Sequence, residues 1–465
     1  MATLLYRQER TDRSDDTTLS EGLARAVCIL ELLETDATST LLRTLSTKSA
    51  QSTTLDFASR MNNARSANGF FDIIGEGTCG TVFEMPGTAA VAKVGSVANI
   101  RGLWRDFVFA GRAHQAIFSA RPLLAVAFPG LELPHVPAAL EFHRHDDAAF
   151  WDATTARLAD PTHHYRPLHI AERIPPVPEP TRHALIHCFF EPDARDDAAE
   201  DPANAACLVR PYFGSRRPEG WAPTTLWNFP LWADAMEQIG LDADVLVCEM
   251  ALGLAVLHWR AGLEASDVEF VLGTSAIKPA LPTSVDSPVA NIYAVDLRKR
   301  ATHLYLLDFD KARDFRVDEP EQDLLPRLVA GVEGNDPYYP RPEINRQLWA
   351  AFANAYLEAS AILLRDNLEK EHKTPAEEHR VLRLPQKFID AWVTNMAEKV
   401  DNPLEDAIEF GGGGDAEDEG WGSDELGGGD QEDSDEDDED SGEDEDSDED
   451  DEDSDEEDGD DDAED

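Results

Sequence analysis

Cysteine, long apolar runs and positive charge are all scarce in this chain of 465 residues. Its five cysteines are scattered and never form a C-x-x-C pair, so neither a disulfide framework nor a cysteine-based zinc site is expected. No apolar run approaches the roughly 18 residues that cross a bilayer, and the N-terminus lacks the apolar stretch of a signal peptide. We therefore expect an intracellular protein, cytoplasmic or nuclear, that does not contact a membrane.

Basic residues are outnumbered, with 40 Lys and Arg against 94 Asp and Glu, for a net charge of −54. Residues 411–465 hold 34 of the acidic residues and no Lys or Arg, which leaves −20 for residues 1–410. A nucleic-acid binder needs a basic footprint, so no direct nucleic-acid binding is expected. The segment 411–465 cannot bury enough apolar surface to offset its ordering entropy, and we predict a disordered polyacidic tail.

The composition of this tail predicts two kinds of partner. A polyanion can bind basic proteins by charge complementarity, and a purely solubilising role is the alternative. Four serines also have an acidic residue three positions downstream, the context that acidophilic kinases favour: Ser434, Ser441, Ser447 and Ser454. Phosphorylation there would deepen the existing negative field rather than reverse it.

The N-terminal extension, residues 1–68, begins with a charged stretch. An apolar run over 23–33, preceded by a capping-box pattern, predicts a helix. The Ser/Thr-rich stretch at 35–54 that follows is expected to be a flexible connection.

The remaining body divides into two parts. Residues 69–214 are β-rich and include a Pro- and His-rich insertion at 121–206, which we expect to be extended and largely irregular. Residues 215–410 are mainly helical, with apolar periodicity that predicts helices at about 242–259, 346–365 and 384–399.

The most specific pattern lies within residues 70–94. It is a G-x-G-x-x-G-x-V motif made of Gly75, Gly77, Gly80 and Val82. In a dinucleotide-binding fold a helix must follow such glycines, whereas here strand-forming residues and a turn lead to another strand that contains Lys93. This order is typical of the kinase hairpin that covers phosphates and of its phosphate-pairing lysine. A glycine-rich hairpin with an idle lysine is the alternative.

Acidic residues follow in the order and spacing of the kinase motifs. Asp308 ends an apolar strand where kinases place the D-F-G aspartate, and it would hold Mg²⁺ against the phosphates of ATP. Asp267 follows an apolar helix, in the place of the catalytic base. Glu269 is a candidate metal ligand in the same loop, and Asn291 is a weaker one. ATP and Mg²⁺ are therefore the expected cofactors.

These motifs together resemble a protein kinase, and longer phrases resemble one fungal family of unknown function known as "zinc finger protein". The phrases are CLVRPYFG, LAVLHWRAGLEASDVEFVLG, YLLDFDKARDF and DPYYPRP. The resemblance covers residues 70 to about 400. It implies an α+β fold, a protein-kinase-like bilobal domain, without a settled activity.

Several positions depart from the kinase pattern. Ser266 replaces the arginine before the catalytic aspartate, Leu272 replaces the metal-binding asparagine, and Asp310 replaces the glycine of D-F-G. On an amphipathic helix predicted over 97–120, Asp106 is the nearest partner for the lysine, in place of glutamate. Phosphoryl transfer depends on positioned charge, so such losses cost orders of magnitude in rate unless they are replaced.

The departures favour a kinase-like protein of the pseudokinase type, which acts in protein interaction and can retain nucleotide binding. An ATP- and Mg²⁺-dependent phosphotransferase is one alternative. A polyanionic binder of basic proteins, in which the body only carries the tail, is another.

Two further groups of residues carry weaker expectations. Five histidines lie in the Pro-rich insertion without the spacing of four converging ligands, so no zinc is expected: His143, His145, His163, His164 and His169. Cys79 in the glycine turn is expected to be a small residue facing solvent, and the tryptophans at 221, 227 and 232 are expected to pack rather than to bind a ligand.

Overall fold

The computed structural model describes residues 36–401, except 48–49, 53–69, 78, 87, 277–298, 336 and 371–372. The predicted helix at 23–33, the candidate ligand Asn291 and the acidic tail with its four serines lie outside the described residues. The described residues form a mixed α+β structure in one compact unit.

The strands and helices are numbered here in chain order. The strands are β1 (Ala50–Ser52), β2 (Asp72–Gly77), β3 (Gly80–Glu84), β4 (Ala90–Val94), β5 (Ala139–His143), β6 (Leu168–Glu172), β7 (Val209–Tyr212), β8 (Phe229–Trp232), β9 (Glu269–Ala276) and β10 (Lys299–Leu307). The helices are α1 (Ala37–Leu45), α2 (Ile100–Ala127), α3 (Ala148–Thr154), α4 (Glu179–Phe189), α5 (Arg195–Glu200), α6 (Ala233–Ile239), α7 (Ala243–Val256), α8 (Glu321–Glu333), α9 (Arg346–Lys370) and α10 (Pro375–Asp401).

The first sheet is antiparallel, with the strand order β2-β3-β4-β6-β5. Side chains alternate between its faces, and in β4 the side chains of Ala90, Ala92 and Val94 are buried in a small apolar core. Lys93, between two of these residues, therefore points to the opposite face, where the candidate site lies.

The second sheet has the strand order β1-β10-β9-β7-β8. Strands β10 and β9 are antiparallel and pair from Arg300 opposite Ala276 to Leu307 opposite Glu269. This register places Glu269 beside the residue that precedes Asp308. The long ladder thus fixes two of the predicted acidic residues at one end of the sheet.

A helical core fills the C-terminal half of the described chain. Helix α7 is buried on nearly all sides, from Leu246 to Val256, and it packs against α9. The helices predicted at about 242–259, 346–365 and 384–399 correspond to α7, α9 and α10. No helix among the described residues combines the length and apolarity that a bilayer crossing demands.

Two expectations about irregular segments are wrong. The insertion at 121–206 contains strands β5 and β6 and helices α3 to α5, because several of its prolines start helical turns instead of breaking them, as at Pro180 in the first turn of α4. A proline at the start of a helix loses no backbone hydrogen bond. The stretch at 35–54 contains helix α1 and strand β1, anchored by the buried side chains of Leu41 and Leu45.

Candidate functional site

The predicted glycine motif forms a hairpin from β2 and β3. Gly75 pairs with Val82, and Gly77 pairs with Gly80. Gly80 has a φ of +148°, and a Cβ there would lie 2.3 Å from the carbonyl oxygen of Val94. At Gly77, by contrast, a Cβ would meet no atom within 4 Å. The close approach of β4 therefore requires glycine at position 80, while position 77 leaves open space above the backbone.

Trp227 anchors this hairpin to the rest of the protein. Its indole nitrogen donates a hydrogen bond of 3.0 Å to the backbone oxygen of Ile74 in β2. Trp232 packs against Tyr212, with ring centroids 5.0 Å apart. Both tryptophans thus pack, as the sequence predicted, and one of them also positions the glycine strand.

Lys93 lies between two carboxylates at the centre of the site. Its Nζ is 2.8 Å from Asp106 Oδ2 on α2 and 2.6 Å from Asp308 Oδ1, directly after β10. The Lys93 and Asp106 side chains are only 13% and 5% exposed, whereas Asp308 is 26% exposed. The site therefore joins the first sheet, helix α2 and the second sheet through one buried lysine.

Asp106 has two further hydrogen-bond partners. Its Oδ1 accepts from the backbone N–H of Phe309 at 2.8 Å, and its Oδ2 lies 3.2 Å from Nε2 of His169. Burial alone would raise the pKa of the Asp106 carboxyl, but the Lys93 ammonium and the His169 hydrogen bond hold it well below its usual range. Asp106 is therefore a fixed anion that orients the lysine and the start of the Asp308–Phe309 turn.

His169 was not predicted as part of this site. Strand β6 places it opposite Lys93 in the sheet register, and its ring is buried. Its spacing from the other histidines of the insertion gave no indication of this role, because the contact depends on the pairing of β4 with β6.

The charges at the centre of the site are strongly coupled. Burial would lower the pKa of Lys93, but Asp106 and Asp308 together raise it well above its usual range. Burial raises the pKa of Asp308. The positive charge of Lys93 lowers this pKa, while the negative charge of Asp106 raises it further. The single lysine thus compensates Asp106 more fully than Asp308.

Asp310 and Cys79 lie beside this centre. The Cys79 thiol contacts Oδ2 of Asp310, and Arg105 donates to the backbone oxygen of Asp310 at 3.0 Å. Cys79 is buried, so the prediction that it faces solvent is wrong. The turn folds inward onto Asp310, a contact that the local sequence does not encode. The other carboxylate oxygen of Asp310 is buried without a hydrogen-bond partner among the described residues.

Glu269 occupies the end of β9 next to Asp308. Its Oε2 accepts a hydrogen bond of 2.8 Å from Arg210. Burial, together with the negative charges of Asp308 and Asp267, raises the pKa of Glu269 to about 7, although Arg210 and Lys93 act in the opposite direction. Glu269 is therefore close enough to take part in the site, with one oxygen already engaged.

Asp267 lies in a tight turn before β9. It has a φ of +59°, and its Oδ2 is 2.8 Å from Nζ of Lys311. The turn is held by the side-chain amide of Asn335, which donates to the backbone oxygens of Ala265 and Val268 at 2.7 and 3.1 Å. Positive φ in a non-glycine residue is a costly geometry that often marks functional turns. Asp267 is thus on the rim of the site. It contacts Lys311 rather than the central triad of Lys93, Asp106 and Asp308.

The positions that depart from the kinase pattern have other contacts here. Ser266 donates a hydrogen bond of 3.0 Å to Oε2 of Glu264. Leu272 is buried in β9 opposite Leu304. Neither supplies charge to the site.

One comparison with known proteins gives a match. A family model for a domain of unknown function, described as "Zinc finger protein", matches residues 304–368. The match begins in β10, includes Asp308 and ends in α9, and it agrees with the family resemblance drawn from the sequence. The chain matches no curated protein and no solved structure.

The prediction that no zinc is expected is therefore contradicted, because the description of the matched family points to zinc. That prediction considered only ligands at short, regular spacing along the chain. Within the described residues, two groups of three side chains have potential ligand atoms within 4.8 Å of one another, and neither follows such spacing: Glu132, His135 and His303, and Cys79, Asp308 and Asp310. The five histidines considered in the sequence belong to neither group.

Proposed function

We propose that this chain is a kinase-like protein that binds a nucleotide beneath its glycine hairpin and acts through protein interaction. The observation that carries the proposal is the triad of Lys93, Asp106 and Asp308, whose lysine lies on the strand next to that hairpin, opposite Val82. In a kinase-like bilobal fold, the first sheet with α2 would form one lobe and the helical core the other. The open space above Gly77 would take the phosphates.

The charges of the site favour a nucleotide that arrives with a divalent cation. The carboxylates of Asp308, Asp310 and Glu269 would repel bare phosphates, because Lys93 is the central cation and Asp106 already shares its charge. A metal ion held by Asp308 and Asp310 would reverse that repulsion. The partnerless buried oxygen of Asp310 supports a cation at this point.

Binding is better supported than phosphoryl transfer. Asp267, in the place of a base, is paired with Lys311, and one oxygen of Glu269 is occupied by Arg210. Ser266 brings no positive charge next to Asp267. Asp267 and Glu269 thus already form ion pairs within the protein. The centre of the site still has Lys93 with Asp106 and Asp308.

Thermal unfolding with ATP or GTP, each with Mg²⁺, Zn²⁺ or chelator, tests the proposal. A ligand at 100 times its Kd stabilises the folded state by about 2.7 kcal/mol. We expect stabilisation of the wild type that requires a divalent cation, and its loss in Asp308→Asn. Lys311→Ala is the matched control, because it alters a charge on the rim only. If no nucleotide stabilises the wild type at millimolar concentration, the proposal is wrong.

A phosphotransferase is the second candidate, favoured by the positive φ of Asp267 and Asp308. It predicts turnover of ATP by the wild type. It also predicts that Asp267→Asn abolishes turnover while the nucleotide-dependent thermal shift is retained. Binding without turnover in the wild type would leave the interaction role alone.

The acidic tail is the proposed route of interaction. Its 34 acidic residues and lack of Lys and Arg fit basic protein partners, and its four serines fit an acidophilic kinase. Removal of residues 411–465 should abolish capture of histones or ribosomal proteins at low salt. Unchanged capture by the shortened chain would exclude this route.

A further inference from the structure

The group formed by Glu132, His135 and His303 lies apart from the Lys93 triad and takes no part in the proposed nucleotide site. His303 belongs to β10, five residues before Asp308. At about 3.3 Å per strand residue, this spacing separates the two positions by about 17 Å along the strand. The group is therefore spatially separate from the Lys93 triad.

The backbone around this group is firmly positioned. Two backbone hydrogen bonds join His135 to β10. The N–H of His135 donates to the carbonyl oxygen of Leu304, and the carbonyl oxygen of His135 accepts from the N–H of Leu306, each at 2.8 Å. The N–H of Glu132 donates at 2.9 Å to the side chain of Glu249, which is buried on α7. The segment after α2 is thus held against β10, and both histidines come from these joined backbones.

The side chains converge on one another. Nδ1 of His303 is 2.9 Å from Oε2 of Glu132, and the His135 and His303 rings are stacked with their centroids 4.4 Å apart. One potential ligand atom from each of the three residues lies within 4.8 Å of the others. The His303 and Glu132 side chains are 12% and 33% exposed, so an ion can reach them from solvent.

We infer that Glu132, His135 and His303 form a zinc site with three protein ligands and one open position. Two imidazoles and one carboxylate are a ligand set that zinc takes, at about 2.0–2.2 Å per bond. Asp308 and Asp310 supply carboxylates, which together with water suit Mg²⁺, and the Cys79 thiol beside them is already in contact with Asp310.

The conversion to a metal site requires small movements. Zinc bonds of this length, arranged tetrahedrally, place ligand atoms about 3.4 Å apart. An ion that replaces the proton between His303 and Glu132 therefore needs that distance to widen from 2.9 Å by only about half an ångström. His135 completes the set by turning its ring out of the stack. Arg121 also acts on His135 electrostatically and opposes a cation, and the Glu132 carboxylate counteracts this effect in part.

Bound zinc would join the segment after α2 to β10 through side chains as well as backbone. The fourth position, open toward solvent, would hold water or a group from a partner.

Zinc content of the full-length protein tests this inference. The protein is stripped with chelator, equilibrated with buffered Zn²⁺ in excess Mg²⁺ so that the acidic tail is saturated, and analysed for bound zinc. We expect one zinc per chain in the wild type and in the control His187→Ala, which alters an exposed histidine on α4. His135→Ala and His303→Ala should each lower the affinity by at least about 10-fold to 100-fold.

Cobalt substitution provides a readout that does not depend on the alanine variants remaining folded. Co²⁺ in a tetrahedral site absorbs strongly in the visible range, whereas Co²⁺ on tail carboxylates is octahedral and weakly absorbing. The wild type should show the strong bands, and Glu132→Gln, which keeps the shape of the side chain, should weaken or shift them. Absence of tetrahedral bands in the wild type, or zinc retained equally by the His135→Ala/His303→Ala double variant, would overturn the inference.

Discussion

Two aspartates of the candidate site, Asp308 and Asp267, each meet a lysine, but in different surroundings. The Lys93–Asp308 pair is mostly buried and shares its lysine with Asp106. The Lys311–Asp267 pair is 57% and 41% exposed. Both aspartates have a positive φ. The backbone geometry is thus alike, and burial decides how much each ion pair contributes to the fold.

The site therefore has a buried centre, formed by Lys93 with Asp106 and Asp308, and an exposed rim, formed by Lys311 and Asp267. A buried charge that loses its partner keeps its full desolvation cost, whereas an exposed pair is screened by solvent and contributes little. A ligand at the centre must therefore replace existing contacts with better ones, while a ligand at the rim can displace Lys311 at small cost.

Removal of the central lysine should have the largest effect. Lys93→Ala removes the lysine counter-charge from the buried Asp106 carboxylate, and we expect a loss of about 3–5 kcal/mol in the free energy of unfolding. Urea denaturation followed by circular dichroism measures this. A loss below about 1 kcal/mol would show that the centre is no more demanding than the rim.

Glu269, between the two aspartates, should give stability an unusual dependence on pH. Its pKa is raised to about 7 in the folded protein by burial and by neighbouring negative charges, against about 4.3 in an unfolded chain. Between these values the folded state binds more protons than the unfolded state. Stability therefore falls as the pH rises through this window, by up to about 3 kcal/mol.

The variant Glu269→Gln isolates this contribution, because glutamine stays neutral at every pH. Its free energy of unfolding, relative to wild type, should increase from pH 5 to pH 8. Denaturant titrations at both pH values give the difference, in which other titrating groups cancel. A constant difference would mean that Arg210 keeps Glu269 charged throughout this range.

The smallest effect is expected at the rim. Lys311→Ala should change the free energy of unfolding by about 0–1 kcal/mol, because its pair with Asp267 is exposed to solvent. Parallel denaturation of the Lys311→Ala and Lys93→Ala proteins gives the contrast directly. Equal losses in the two variants would remove the distinction between centre and rim.

Local patterns were sufficient to predict the parts of the fold that depend on neighbouring residues. The hairpin around Gly77 follows from its glycines and flanking strand formers, and the helix bearing Asp106 follows from apolar periodicity. That helix continues past its predicted end at residue 120 to Ala127, with Pro122 inside it. The buried side chain of Leu124 stabilises the final turn, although the proline lacks the N–H for one backbone hydrogen bond.

The site's remaining contacts depend on pairings between distant segments. His169 reaches Asp106 only because β6 lies beside β4, and Cys79 reaches Asp310 only because the glycine turn meets the end of β10. His303 meets His135 through a bridge between β10 and the segment after α2. A motif search reads spacing along the chain, so none of these contacts could be found by it.

Strand β1 covers an edge of the second sheet that a shortened version of this protein would leave open. It forms one edge of the second sheet and pairs with the start of β10, while Thr302 of β10 donates a hydrogen bond to Thr44 of α1. A chain that began at residue 69 would expose, as a short open edge, the N–H and C=O groups of β10 that β1 covers at residues 299–301. Open edges recruit other strands, so such a fragment should self-associate even though every residue of the Lys93 triad is present.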